Sequence, residues 1–259
     1  MNRIVRHFLA FILTAVCLGG LLVVLRAGAK DRHQVLCKEV DVTVADSLER
    51  RFVSEQDVKD YLKEYGNYTG QRIDSVDLKR IENLLEGRSA IRGCEAYVTG
   101  DGVLHIRVSQ REPIVRFQTA NNGYYADSQG FIFPLQKNDA ARVPVIDGAV
   151  PLTVARGFKG TPERETERRW LAEAIRLVGF MEQDRTWRHF FSQVTVLPGG
   201  DLVLIPNTGR ERFLFGPARD IEAKFGRIRT YYEAVVPAGE PDRYGSVNVK
   251  YNKQIICKK

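Results

Sequence analysis

The sequence lacks the residue patterns on which many enzyme active sites are built. It has four histidines, and none of them falls in the H-E-x-x-H spacing that holds a catalytic zinc ion. It also has no C-x-x-C, G-x-S-x-G, S-x-x-K or P-loop pattern, so neither a thiol redox site nor a common serine nucleophile is supported. We therefore predict that the protein is not an enzyme, with no catalytic residue, no metal site and no cofactor. A site assembled from distant residues would leave no such pattern.

Long runs of one charge are missing as well. The net charge is +7, but the lysines and arginines are scattered, and glutamates interrupt the densest run, at residues 164–169. A solvated helix face explains this run better than a polyanion site does, so no nucleic-acid partner is predicted. A mildly basic surface would also suit a position beside anionic lipid headgroups.

Cysteine is too scarce to serve as the main support of the fold. Apolar residues make up 44% of the 259 residues and charged residues 27%, which is typical of a globular chain that forms its own core. Cys37, Cys94 and Cys257 lie beyond the apolar run described next, and three thiols cannot all pair within one chain. We expect Cys37 and Cys94 to act as small apolar residues in the core.

One uncharged apolar run lies near the N-terminus, at residues 8–25. As a helix, these 18 residues span about 27 Å, close to the hydrocarbon thickness of a bilayer. Because Arg3 and Arg6 precede the run, residues 1–7 are predicted to stay in the cytoplasm and the rest to be exported. The alternative is a cleaved signal peptide, since Ala27-Gly28-Ala29 resembles a cleavage site. The length of the run and the charge of Arg26 favour an uncleaved transmembrane helix.

Two periodicities follow one another over residues 35–116. Residues 39–44 alternate between apolar and polar, as a half-buried strand does. Helical spacing then appears twice, first behind the capping-box-like Ser54 and again behind Asp74 or Ser75. A hairpin around the glycine-rich turn at residues 100–102 closes the series. This β-α-α-β-β order defines the first predicted domain.

Residues 117–259 are predicted to form a strand-rich domain with two helices. Short alternating segments separated by Gly, Pro and Asn predict strands, and apolar residues at helical spacing predict helices at residues 163–181 and 220–232. Val247, Val249 and Tyr251 alternate with polar residues and predict the last strand. The fold class is therefore α+β, with a transmembrane helix, a β-α-α-β-β domain and a β domain.

Four short segments, taken in order, resemble the FtsQ/DivIB family of bacterial cell-division proteins. Residues 104–115, LHIRVSQREPIV, are similar to the L-x-I-x-V-x-E-R-x-P-V-A end of the family's POTRA-like domain, with a mild departure at residues 110–112. Residues 125–133 and 143–148 are similar to its V-D-x-x-G-x-V-F and L-P-x-L-x-G segments. Residues 247–251, VNVKY, resemble its terminal V-D-L-R-Y strand. The likeness covers nearly the whole chain.

The resemblance implies a non-enzymatic scaffold of the division septum. Such proteins are held in the inner (cytoplasmic) membrane by one helix, and their bulk lies in the periplasm. They bind FtsB and FtsL, which are small single-pass coiled-coil proteins, and they help to place the septal peptidoglycan synthase complex.

The resemblance places partner binding on the last strand and the helix before it. A terminal edge strand leaves N–H and C=O groups unpaired, and a partner strand can extend the sheet there. We expect Tyr251 to anchor the partner, and Lys250 and Arg227 to meet its carboxylates. The candidate partner-binding residues are Arg227, Val247, Val249, Lys250 and Tyr251. The alternative is that Tyr251 packs on its own core and both cations are solvated.

Two other functions stay open. An envelope-anchored enzyme that acts on peptidoglycan would need a concave site with convergent polar groups. A POTRA module of outer-membrane assembly or secretion would usually precede a long barrel, whereas about 140 residues follow the first domain here.

Overall fold

The computed structural model describes residues 12–23, 35–45, 51–119, 122–237 and 243–259, and the chain divides into two units, Met1–Gln110 and Arg111–Lys259. Residues 12–23 are helical and expose large apolar side chains, among them Leu13 and Val16. The rest of the predicted span, residues 8–11 and 24–25, lies outside the described residues. Within the described residues, no helix is both long and apolar enough to cross a membrane.

The first unit contains a three-stranded sheet and two helices, and their order along the chain is the predicted β-α-α-β-β. The elements are β1 (Glu39–Val44), α1 (Glu55–Lys63), α2 (Leu78–Glu86), β2 (Ile91–Val98) and β3 (Val103–Gln110). The strands lie in the order β1-β3-β2. Strand β1 is parallel to β3, and β2 forms an antiparallel hairpin with it. The α+β class and the element order predicted for this unit are confirmed.

Both helices of this unit begin at a side-chain cap. Ser54 forms the predicted capping box of α1. The predicted start of α2 at Asp74 or Ser75 is wrong, because these residues form a short 3₁₀ turn, Ile73–Ser75. The carboxylate of Asp77 caps α2 instead and accepts a backbone N–H from the first turn.

The core of the first unit lies between the helices and one face of the sheet. Alternation along β3 turns Leu104, Ile106 and Val108 inward. Cys37 and Cys94 are buried free thiols, which confirms their prediction as small core residues. Burial raises the pKa of the Cys94 thiol to about 12, so this thiol stays protonated at neutral pH.

The second unit is built around one nine-stranded sheet. Its elements are β4 (Pro113–Gln118), β5 (Gly123–Asp127), β6 (Ile132–Pro134), β7 (Val145–Gly148), α3 (Glu165–Gln183), β8 (Phe191–Val196), β9 (Leu202–Pro206), β10 (Arg212–Gly216), α4 (Ile221–Thr230), β11 (Ser246–Asn248) and β12 (Ile256–Lys258). Helix α4 continues into a π-helical turn, Tyr231–Val235. The domain boundary predicted after Arg116 falls inside β4, which pairs with strands of this sheet.

The strands of this sheet do not follow the order of the chain. From one edge to the other they lie as β12-β11-β10-β9-β8-β7-β4-β5-β6, with parallel pairs at β4/β7, β7/β8 and β10/β11. Both helices contribute to one apolar core with the sheet. Aromatic rings fill part of it, where Trp187, Phe191 and Phe215 surround Phe225 of α4.

Two glycines adopt a positive φ where strands end. Gly148, at the end of β7, has a φ of 82°, and a Cβ atom there would collide with the carbonyl oxygen of Val196. Gly216, at the end of β10, has a φ of 76°, and a Cβ atom there would lie 2.7 Å from Cγ of Lys250. The first obstacle is backbone and the second is a flexible side chain, so only the second can move aside easily.

Candidate partner-binding edge

The outermost strand at the C-terminal end of the sheet is β12. The sequence predicted the last strand at residues 247–251, but β11 stops at Asn248, and the chain returns as β12 on its outer side. β12 pairs antiparallel with β11 through three residue pairs, in which Val247 lies opposite Cys257. The prediction that the VNVKY strand is itself the edge is therefore wrong, because a strand absent from the prediction covers it.

The strand ends at Asn248 because that side chain turns the backbone. Oδ1 of Asn248 accepts the N–H of Lys250 at 2.9 Å, which is an Asx turn. A few residues later, Lys253 has a φ of 59°, in the left-handed region that non-glycine residues rarely adopt. These two local conformations reverse the chain and bring residues 256–258 back along β11.

The two valines of the candidate site face the core. Val247 and Val249 are each 0% exposed. The N–H of Val249 also donates to the carbonyl of Leu214 at 3.0 Å, so the backbone remains attached to β10 beyond the end of β11. The buried side chains of Val247 and Val249 are therefore not available to a partner. Only the backbone of residues 247–249 can form hydrogen bonds with a neighbouring strand.

Arg227 of α4 reaches the same segment. Its Nε donates to the carbonyl oxygen of Val249 at 2.9 Å. Its Nη2 is buried and has no hydrogen-bond partner within the part of the chain that the structure describes. The guanidinium therefore fixes the backbone beside β11 and keeps one donor unused.

Lys250 and Tyr251 lie where the chain leaves the sheet. Nζ of Lys250 donates to Oδ2 of Asp201 at 2.7 Å, and this hydrogen bond raises the pKa of Lys250 above its ordinary value. The same ammonium lies 5.9 Å from the ring centre of Tyr251, which is 49% exposed. Of the predicted site residues, Arg227 thus contacts Val249, Lys250 lies beside Tyr251, and Val247 pairs with Cys257 of β12; that they bind a partner stays a prediction.

A third cation, Lys224, was not among the predicted site residues. It is 3% exposed, donates to the carbonyl oxygen of Pro217 at 2.6 Å and lies 4.8 Å from the ring centre of Phe215. Burial lowers its pKa below the ordinary value. The signal was present in the sequence, since Lys224 follows Ile221 by three residues and falls within the apolar stripe of α4.

The site is therefore a short basic edge with one exposed aromatic ring. Its groups can accept a strand through main-chain hydrogen bonds and can attract carboxylates, and these are binding interactions. Within the residues that the structure describes, no group of three His, Cys, Asp or Glu side chains could hold a metal ion.

The first unit contains a polar cluster around His105. Nδ1 of His105 lies 3.0 Å from Oδ2 of Asp41, and its Nε2 lies 3.2 Å from Oγ1 of Thr99. The hydroxyl of Thr99 donates to Asp101, and Tyr97 stacks on the imidazole at 4.9 Å. These contacts join residues of β1, β2 and β3 in one network across the sheet.

Comparison with protein families matches both units. A family model described as FtsQ/DivIB, C-terminal related, matches residues 112–258, more than half of the chain. A model of the POTRA-like domain matches residues 35–109. No curated protein matches the chain.

Proposed function

Because the chain belongs to the FtsQ/DivIB family, we propose that it is a non-enzymatic scaffold of bacterial cell division. Its partners are small single-pass division proteins similar to FtsB and FtsL, and through them it contributes to placing the septal peptidoglycan synthase complex. Its place is the inner membrane at the division septum, with both folded units in the periplasm.

The observation that carries this proposal is the composition of the C-terminal edge of the nine-stranded sheet. Arg227 and Lys250 lie beside it, with Lys250 paired to Asp201, and Tyr251 stands 49% exposed at its end, while Lys224 is buried against Phe215. Tyrosine and arginine are enriched among residues that dominate binding energy at interfaces. An acidic partner strand that extends this edge would combine main-chain hydrogen bonds with charge complementarity.

The apolar run at residues 8–25 is proposed as an uncleaved membrane anchor. Its described part, residues 12–23, is a helix that exposes apolar side chains such as Leu13 and Val23 at 66% and 68%. A helix that is apolar on all sides is expected in contact with lipid. The intact mass of the mature protein tests this, and a chain beginning near Lys30 would contradict it.

Calorimetric titration of the full chain with the periplasmic segment of an FtsB-like protein tests the binding site. Tyr251→Ala removes the exposed ring, and Lys250→Glu reverses the charge. We expect each to weaken binding about tenfold or more, which corresponds to about 1.4 kcal/mol.

Matched controls are available in the first unit. Tyr97 is 45% exposed, and Lys63 pairs with Asp60 as Lys250 pairs with Asp201. Tyr97→Ala and Lys63→Glu should leave the affinity unchanged. If the edge variants keep wild-type affinity while circular dichroism shows them folded, the partner binds elsewhere and this assignment is wrong.

A further inference from the structure

Strand β2 is an outermost strand of the sheet in the first unit, beyond β3. The N–H of Thr99 donates to the carbonyl of Val103 just past the end of β2, and bonding alternates along an antiparallel pair. The N–H groups of Cys94 and Ala96 therefore point away from β3, toward the outer edge. Another strand could pair with these two donors unless the chain itself covers them.

Two glutamates of helix α2 accept these outward N–H groups. Oε1 of Glu86 lies 3.3 Å from the backbone N of Cys94, and Oε1 of Glu82 lies 3.2 Å from that of Ala96. Four helical residues rise about 6 Å and two strand residues about 6.7 Å, so the carboxylates and the N–H groups repeat in step. The helix therefore covers both donors of the edge at once.

The helix and one of its carboxylates are also held from other directions. Ile81 and Leu85, which precede the two glutamates in the chain, are buried, so α2 cannot move along the strand without disturbing the core. Oε2 of Glu82 accepts Nζ of Lys79 at 3.1 Å, while its Oε1 faces β2. The hydrogen bonds from the Ala96 N–H and from Lys79 lower the pKa of Glu82, so this carboxylate is ionised at neutral pH.

The composition of β2 suits pairing with an identical strand. Residues Ile91–Val98 include no proline, and the two charged residues, Arg92 and Glu95, are exposed and opposite in sign. An antiparallel pair of identical strands centred on Cys94 brings Arg92 of one copy toward Glu95 of the other. Such pairing is isologous, so one two-fold axis satisfies the edges of both copies.

We propose that Glu82 and Glu86 close the β2 edge of the first unit against pairing with a second copy of this chain. Helix α2 then has a role besides packing on the sheet, because it occupies the outward donors of the edge strand. Removal of both carboxylates opens the edge, and β2 of a second copy pairs with it antiparallel. The inference concerns the first unit alone and does not depend on the proposed scaffold function.

Two double variants of equal net charge isolate the hydrogen bonds. Glu82→Ala/Glu86→Ala removes both acceptors, whereas Glu82→Gln/Glu86→Gln keeps an acceptor at each position. Alanine is a stronger helix former than glutamate, so α2 itself is not weakened. Amide hydrogen exchange of the full chain in detergent, at low concentration, is the first measurement. We expect the Cys94 and Ala96 amides to exchange about tenfold or more faster in the alanine variant, and near the wild-type rate in the glutamine variant.

The second measurement is sedimentation of the same full-length chains at rising protein concentration. The alanine variant should form an added dimer, in which exchange of the two amides slows again, whereas the wild type and the glutamine variant should associate no further. Ala96→Pro, added to the alanine variant, removes one outward donor that β3 does not use and should abolish the dimer. Asn83→Ala, at an exposed position of α2, is the control and should change neither measurement. Circular dichroism shows that each variant is folded.

Several results would overturn the inference. A dimer that persists with Ala96→Pro forms at another surface. Dimers of both double variants would assign the effect to charge and not to hydrogen bonds. An alanine variant whose two amides exchange at the wild-type rate would show that the carboxylates do not cover the edge. Faster exchange without association would show that a second copy is not the strand that they exclude.

Discussion

The two edge strands of the nine-stranded sheet, β6 and β12, differ in how far their side chains are buried. At the β6 end, Ile132 and Phe133 are 0% exposed, and Ile132 exchanges backbone hydrogen bonds of 2.8 and 2.9 Å with Gly160. At the β12 end, the outer strand exposes Ile256 at 38% and carries lysine beside it. Both ends have an edge strand of three residues, but β6 buries two side chains fully, whereas β12 buries only Cys257, and only in part.

This difference shows that strand length does not decide how deeply an edge strand is buried. β6 is as short as β12, yet Ile132 belongs to the main core, Phe133 is buried against Tyr125, and Gly160 pairs with its outer backbone. An edge strand can open for binding when its side chains are exposed and it is attached to the sheet mainly by backbone hydrogen bonds. The predictions below test whether the two ends differ in energy as they differ in burial.

The largest effect is expected for Phe133→Ala. The ring is 0% exposed and packs 5.6 Å from that of Tyr125, so its removal leaves a cavity in the core. We expect the free energy of unfolding of the second unit to fall by about 3–5 kcal/mol. Urea unfolding followed by tryptophan fluorescence measures this unit alone, because both tryptophans lie in it. A loss below about 1 kcal/mol would show that the β6 end is no firmer than the other.

Alanine should destabilise the protein more at Gly148, where the obstacle is backbone, than at Gly216, where it is a side chain. Gly148→Ala places a Cβ atom against the Val196 carbonyl, and neighbouring strands prevent that backbone from moving, so a loss of at least about 2 kcal/mol is expected. Gly216→Ala meets the side chain of Lys250, which can rotate away, and should cost about 1 kcal/mol. Chemical denaturation of the two variants in parallel checks the order, and equal losses would contradict it.

Ile256→Ala should cost less than about 1 kcal/mol, because the side chain is already 38% exposed. The same substitution at Ile132 of β6, which is 0% exposed, serves as the matched control and should cost about 2–5 kcal/mol. Similar losses at the two isoleucines would remove the contrast between the edges.

The smallest effect concerns the Lys250–Asp201 pair. The pKa of Lys250 is raised in the folded state, so the stability from this bond is fully present below its ordinary pKa of 10.5 and is lost as the pH rises through the folded value. Lys250→Met should therefore flatten the decline of unfolding free energy above about pH 10.5. Asp201→Asn should flatten it to the same extent, and a decline that persists in both variants would assign it to other groups.

The parts of the fold that the sequence predicted are those determined by local patterns. Alternation in β3 and the i, i+3, i+4 spacing of α3 and α4 specify an element and its buried face together. The FtsQ/DivIB resemblance was carried by short segments at the ends of such elements, and the family match confirms it.

The parts that were missed depend on distant contacts. The parallel placing of β7 between β4 and β8 joins segments that are far apart in the chain, and no local pattern encodes it. β12 has only three residues and no clear alternation, so no local pattern predicts it. The end of β11 at Asn248 depends on one side-chain hydrogen bond, and the Val-x-Val-x-Tyr alternation continued past it.

The burial of the two thiols in the first unit has a consequence for how the protein withstands oxidants. With a pKa of about 12, Cys94 is a thiolate in only about one molecule in 10⁵ at pH 7, and the thiolate is the form that oxidants and disulfides attack. Cys37 is buried as well, and burial also raises the pKa of its thiol, so folding shields both thiols from oxidants. The unfolded unit lacks this shield, so slower folding should lengthen the time during which the two thiols can be oxidised.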